Sequence, residues 1–94
     1  MHICTSMHMT YIQERANFYK VLSEPVRLQI LQFLLQQDSC VCICEIMDCV
    51  QKDQSVVSRH IQLMQKTGLV DTHREGRFLM CCIKDKRQIK KVME

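Results

Sequence analysis

One stretch constrains the fold more than any other: an amphipathic segment, 54–67, that ends at a glycine and is followed at once by two short β-rich runs. Asp53 is a residue type that caps helices and Gly68 one that ends them, so a helix over 54–67 is predicted. Its apolar residues recur at helical spacing on one side: Val57, Ile61 and Met64. Its polar residues with the same spacing lie opposite: Ser55, Arg59, Gln62 and Lys66. One face is therefore predicted to pack on a core and the other to face outward.

The two β-rich runs cover 69–74 and 77–83 and are joined across Glu75-Gly76. The glycine can adopt the positive φ of a tight turn, and Arg74 and Arg77 make the tip basic. A helix followed directly by a basic hairpin predicts a winged helix.

The outward face of the helix carries hydrogen-bonding groups and cations but no carboxylate, which suits the DNA major groove. We expect base readout from Ser55, Ser58, Arg59 and Gln62, with His60 on the flank in a DNA-facing or capping role. Phosphate contacts are expected from Lys66, Arg74 and Arg77.

The rest of the chain predicts further helices. Residues 1–9 lack periodicity and read as a flexible arm, and 10–94 as one winged helix-turn-helix domain. Helices are predicted over 10–22, 24–36, 42–50 and 85–94, the second capped by Ser23. The fold class is thus mainly α with a β-hairpin wing: four helices, two strands and a last helix. The first helix has a wide apolar stripe, which predicts burial against its own core and a second subunit.

Net charge, hydrophobicity and residue types limit the classes of function that the chain can have. The net charge of +3 is compatible with nucleic acid without requiring it, and no apolar run is long enough to cross a membrane, so a soluble cytoplasmic protein is expected. Enzyme chemistry is not predicted, because the sequence lacks paired carboxylates in a likely cleft, a phosphate loop and a suitably spaced Cys/His pair.

The seven cysteines are an odd number, which favours reduced thiols over a disulfide framework.

Two cysteines have the spacing of a chelate. Cys42 and Cys44 lie at the start of the predicted third helix, where unpaired N–H groups are expected to lower thiol pKa values, and Cys40 could supply a third sulfur. A sulfur-only donor set favours a soft ion such as As(III) or Sb(III), or Cd(II) or Pb(II), as effector, and no organic cofactor is implied. Cys81 and Cys82 point to opposite faces of a strand, and with Cys49 they are interpreted as core or strand filler.

Five segments together resemble the ArsR/SmtB family of metalloregulatory repressors: 23–31, 42–46, 58–61, 67–70 and 74–77. The resemblance implies a homodimer formed through the first and last helices, bound to an imperfect inverted repeat of double-stranded DNA. It also implies that Cys42 and Cys44 are ion ligands. Arsenic sensors of the best-known pattern have a further cysteine where this chain has Met47, so the third ligand is open among Cys40, Cys4 and Cys49. The pattern of a zinc site on the last helix is lacking.

Two other functions fit the same fold. The cysteines could form a thiol–disulfide redox switch, with Cys42 or Cys44 pairing with Cys40 or Cys49. Alternatively, the winged helix could bind protein without metal, in which case no salt-dependent affinity for any duplex is expected.

Overall fold

A computed structural model describes the backbone of residues 6–93 and the side chains of 9–87, 89 and 90. The elements in chain order are α1 (Ser6–Leu22), α2 (Pro25–Leu35), β1 (Val41–Cys42), α3 (Ile43–Val50), α4 (Gln54–Lys66), β2 (Val70–Glu75), β3 (Phe78–Ile83) and α5 (Lys86–Met93). Within 6–93, every helix is too short or too polar to cross a bilayer.

The helix-turn-helix is formed by α3 and α4, as the sequence predicts. Asp53 caps α4, because its Oδ1 accepts a hydrogen bond from the Val56 N–H at 3.1 Å. Gly68 follows the helix with a φ of +81°, a conformation that suits glycine. The predicted inner face is confirmed: Val57, Ile61 and Met64 are all buried.

The start of α2 differs from the prediction. Its N-cap is Glu24, not Ser23, since Glu24 Oε2 accepts from the Arg27 N–H at 3.0 Å. Ser23 Oγ instead donates to the carbonyl of Lys20 at 2.7 Å and so closes the end of α1. Proline is favoured at the first position of a helix, and Pro25 occupies that position in α2. The N-cap is by definition the residue before it, which is Glu24.

The first helix begins at Ser6, before the predicted start at Thr10, so part of the expected arm is helical. The remainder of that arm, 1–5, lies outside the described residues. Tyr11, Ile12 and Tyr19 are exposed, whereas Phe18 is half-buried and Leu22 buried, so the chain itself covers only the end of the apolar stripe.

The wing is a three-stranded antiparallel sheet, with β3 between β1 and β2. The hairpin of β2 and β3 closes at Gly76, whose φ is +64°. The strand β1 corrects the predicted element order, which had only two strands: Val41 pairs with Cys81, and Cys42 with Met80. So short a strand has no measurable periodicity, and it exists because β3 offers it a hydrogen-bonding edge.

The core lies where α2, α3, α4 and the base of the wing meet. Its fully buried side chains come from all four of these parts: Ile30, Leu31, Ile46, Val57, Ile61, Met64, Leu69, Val70 and Cys81. Ile89 of α5 is also buried, and the side chains of Val92 and Met93 lie outside the described residues. The core thus fixes α3, α4 and the wing relative to one another.

Candidate nucleic-acid interface and thiol sites

The outer face of α4 is exposed as predicted: Ser55, Arg59, Gln62 and Lys66 all face solvent. At the wing tip Arg74 and Arg77 are exposed too, and the Arg77 guanidinium lies 5.9 Å from the centre of the Phe78 ring. Among the described residues, none of these four cations forms a salt bridge with a carboxylate. The helix and the wing therefore both present exposed cations that no carboxylate of the described residues pairs in a salt bridge.

A cleft of about 540 Å³ separates α4 from the wing and the start of α3. Its lining includes Ser58 and Gln62 from α4 and Arg74 and Arg77 from the wing. Cys42 and Cys44 open into the same cleft. The predicted ion ligands and several predicted DNA contacts thus share one surface.

The two sulfurs of the Cys-x-Cys motif lie together at the amino end of α3. Cys44 Sγ donates a hydrogen bond to Cys42 Sγ at 2.7 Å. Cys42 is also the N-cap of the helix: its sulfur accepts from the Cys44 N–H at 3.4 Å, and Glu45 Oε2 accepts from the Cys42 N–H at 3.0 Å. This is a capping box in which a thiol takes the usual place of a hydroxyl.

The expected lowering of the thiol pKa values at this helix start does not hold for Cys44. Its hydrogen bond to Cys42 raises the pKa of the Cys44 thiol, with burial and the charge of Cys42 acting in the same direction. The proton is held between the two sulfurs, which outweighs the backbone N–H contribution. A ligand that binds both sulfurs must displace it.

The remaining cysteines lie elsewhere. Cys40, the predicted third sulfur, is bonded to Cys82, with their Cα atoms 4.5 Å apart. Cys49 is half-buried near the far end of α3, and burial raises the pKa of Cys81 to about 11. Cys4 lies outside the described residues. The interpretation as core filler is confirmed for Cys81 and is wrong for Cys82.

His60 lies apart from the exposed row. Its Nδ1 is 3.2 Å from Arg27 Nη1, and its Nε2 is 4.0 Å from Glu24 Oε2, so the ring joins α4 to the start of α2. Desolvation lowers the pKa of His60 and favours the neutral ring. A direct contact of this side chain with DNA stays a prediction.

Sequence reasoning missed one cluster on the outer face of the wing. Cys40, Cys82 and His73 bring two sulfurs and a ring nitrogen to within 4.8 Å of one another. The alternation along β3 could have placed Cys82 outward, and the hairpin could have brought His73, nine residues away, near it. Cys40, however, lies 42 residues from Cys82 in the segment before β1. Only the sheet register brings them together.

The fold and these sites can be compared with known proteins. The sequence profile of the family described as "Bacterial regulatory protein, arsR family" matches residues 24–72, more than half of the chain. The chain belongs to the ArsR family. As a member it is a winged-helix, DNA-binding transcriptional repressor and not an enzyme.

Two curated relatives and one solved structure illustrate the ArsR-family match. An uncharacterized HTH-type transcriptional regulator of Methanocaldococcus jannaschii is 33% identical over 79 residues, which are 84% of this chain and 88% of that protein. The cadmium resistance transcriptional regulatory protein CadC of Listeria innocua is 31% identical over 70 residues, 74% of this chain and 58% of that protein. The homodimeric winged helix-turn-helix DNA-binding domain of a possible ArsR-family regulator from Mycobacterium bovis has a TM-score of 0.84 at 24% identity, covering 99% of this chain and 87% of that chain.

Proposed function

We propose that this ArsR-family repressor leaves its operator when a thiophilic ion binds at Cys42 and Cys44. The donors are two sulfurs held next to each other on an accessible surface, which suits soft ions and not Mg(II), Ca(II) or Mn(II). As(III) and Sb(III) bond well to thiolates, and Cd(II) or Pb(II) are the alternatives. The similarity to a cadmium resistance regulator supports a soft-metal effector.

The observation that carries the proposal is the shared cleft. Cys42 and Cys44 open into the same space as Ser58 and Gln62 of α4. An effector held by the two sulfurs would therefore sit beside the residues that we assign to base readout. No long-range pathway is needed to connect ion binding with DNA binding.

The capping geometry supplies the coupling. Cys42 Sγ holds the first turn of α3 by accepting from the Cys44 N–H. When both sulfurs engage an ion as thiolates, Cys42 and Cys44 each give up a proton to solvent, and Cys42 loses its role as helix cap. The start of α3 then rearranges, and Ile46, buried in the core, transmits the change to α4. A coupling of about 1 to 3 kcal/mol, or roughly 5- to 150-fold in operator affinity, is typical of such switches.

The third ligand is constrained by the length of α3. Cys49 lies five residues after Cys44 on the same helix, about 7 Å along its axis, so its sulfur cannot join the pair while the helix is intact. Cys40 becomes available only when its bond to Cys82 is reduced. Reduced Cys40 and Cys4 are therefore the remaining choices.

DNA binding by a dimer completes the proposal. The exposed Tyr11, Ile12 and Tyr19 give α1 an apolar face suited to a second copy, with α5 adding a smaller share. A homodimer through α1 and α5 would present two α4 helices to successive major grooves of an imperfect inverted repeat. Base readout is assigned to Ser55, Ser58, Arg59 and Gln62, and phosphate contacts to Lys66, Arg74 and Arg77.

The test is fluorescence anisotropy of reduced protein on a duplex from its own upstream region. Separate titrations with arsenite, Cd(II) and Pb(II) are expected to release the DNA at near-stoichiometric amounts of one ion. Cys42→Ser should bind DNA normally and resist release, and Cys49→Ser is the matched control that should respond like the wild type. Unchanged release from Cys42→Ser would refute the site. Release by an oxidant without any ion would favour the redox-sensing alternative.

A further inference from the structure

A second thiol pair lies on the outer face of the wing, away from the cleft. Cys40 precedes β1 and faces Cys82 of β3 across the antiparallel ladder, in register with the neighbouring pair Val41 and Cys81. The Cα atoms are 4.5 Å apart, within the range that a disulfide spans, and the two sulfurs are bonded. The folded chain thus holds two cysteines, 42 residues apart in sequence, in position to join.

The surroundings of this pair suit thiol chemistry. His73 Nδ1 lies 3.9 Å from Cys82 Sγ, and its Nε2 lies 2.9 Å from Glu75 Oε2. If Nε2 carries the proton that Glu75 accepts, Nδ1 is free to take one from Cys82. Both cysteines are only partly buried, and they line a cavity of about 290 Å³ together with Lys84 and Lys86. A small reagent can therefore reach the sulfurs through this cavity.

We propose that Cys40 and Cys82 are a redox-modified pair that reacts with low-molecular-weight disulfides. Cys82 passes its proton to His73 and its thiolate attacks one sulfur of the reagent, releasing the first reagent thiol. Cys40 then gives its proton to solvent and attacks Cys82 Sγ, releasing the second. Two protein thiols are oxidised to one disulfide, and one reagent disulfide is reduced to two thiols.

The inference goes beyond the proposed ion response and does not depend on it. The cavity beside this pair and the cleft beside Cys42 and Cys44 have no lining residue in common. Oxidation nevertheless has a consequence for the ion site, because the disulfide engages Cys40 and withdraws it as a third ligand. It also ties the segment before α3 to the central strand of the wing.

The experiment treats fully reduced protein with oxidised glutathione and follows thiol loss. Non-reducing peptide mapping is expected to find the Cys40–Cys82 bond as the main product, and Cys49→Ser should behave identically. Cys82→Ser should stop at a mixed disulfide on Cys40 or fail to react there. His73→Gln should slow formation of the bond about threefold, because Cys82 then lacks the neighbouring base that takes up its proton.

Three results would overturn the proposal. One is a different pair, such as Cys42–Cys44, as the main product. Another is thiol loss that is unchanged in Cys82→Ser. The third is reduced protein that holds Zn(II) through Cys40, His73 and Cys82 and resists oxidised glutathione while it does so, which would make the cluster a metal site. The proposed ion response is read from DNA release, so its failure would leave these thiol measurements unaffected.

Discussion

The wing arginine Arg74 provides a quantitative test of the proposed DNA surface. It is exposed at the tip of the hairpin, lines the cleft beside α4, and has no salt bridge to any carboxylate in the described part of the chain. Replacing it with alanine therefore removes a cation without leaving a carboxylate unpaired. We expect Arg74→Ala to fold normally and to bind DNA more weakly.

The size of the effect follows from counterion release. If Lys66, Arg74 and Arg77 each contact one phosphate, a dimer makes about six such contacts, and the slope of log K against log salt is about −5.4. Arg74→Ala removes two of them and reduces the slope to about −3.6. Between 50 and 200 mM salt, wild-type affinity should fall by about a thousandfold and that of the variant by about a hundredfold.

The assay is fluorescence anisotropy on a labelled operator duplex over that salt range, with the protein reduced. Lys84→Ala is the matched control, because Lys84 follows the opposite end of β3, about 20 Å from the turn. An unchanged slope for Arg74→Ala, or an equal change for Lys84→Ala, would refute the assignment of the wing tip to DNA phosphates.

Three further predictions concern stability. Ile46→Ala should lower the free energy of unfolding by about 2 to 5 kcal/mol in urea titrations, because Ile46 of α3 is fully buried in the core. Asp48→Ala on the same helix is the control and should change it little, because Asp48 is exposed. Gly68→Ala should lower the free energy of unfolding by about 1 to 2 kcal/mol, because a residue with a side chain is strained at a φ of +81° even though the space around it is open. An unchanged urea midpoint would contradict this expectation. Burial raises the pKa of the Cys81 thiol from 9.0 to about 11. Above pH 9 this thiol therefore ionises in the unfolded chain before it ionises in the folded one. The free energy of unfolding should fall by roughly 1 to 2 kcal/mol between pH 9 and pH 11. Cys81→Ala should lose that part of the pH dependence in thermal melts, and an identical pH profile would refute the cause.

Much of the fold could be predicted from the sequence because the signals are local. The cap at Asp53, the seam of Val57, Ile61 and Met64, and the stop at Gly68 each depend on neighbours along the chain, and the structure has all of them. The glycine of the hairpin turn is equally local. The contact between the Cys42 and Cys44 sulfurs is also local, since two residues separate them at the start of α3.

What the sequence could not settle depends on long-range pairing. The strand β1 exists only because β3 is beside it, and the Cys40–Cys82 bond depends on that register. The approach of His73 to Cys82 depends on the pairing of β2 with β3. The contact of His60 with Arg27 requires α4 to pack on the start of α2. The raised pKa of Cys44 is a local effect that the sequence nevertheless did not show, because it depends on Cys44 donating its hydrogen bond to Cys42 two residues away. The sequence by itself determined the helices, the hairpin and the position of the Cys42 and Cys44 thiols, because these follow from residues a few positions apart. Tertiary structure alone decided which cysteines meet and which side chains share the cleft, because such contacts arise only when distant segments bury a common core.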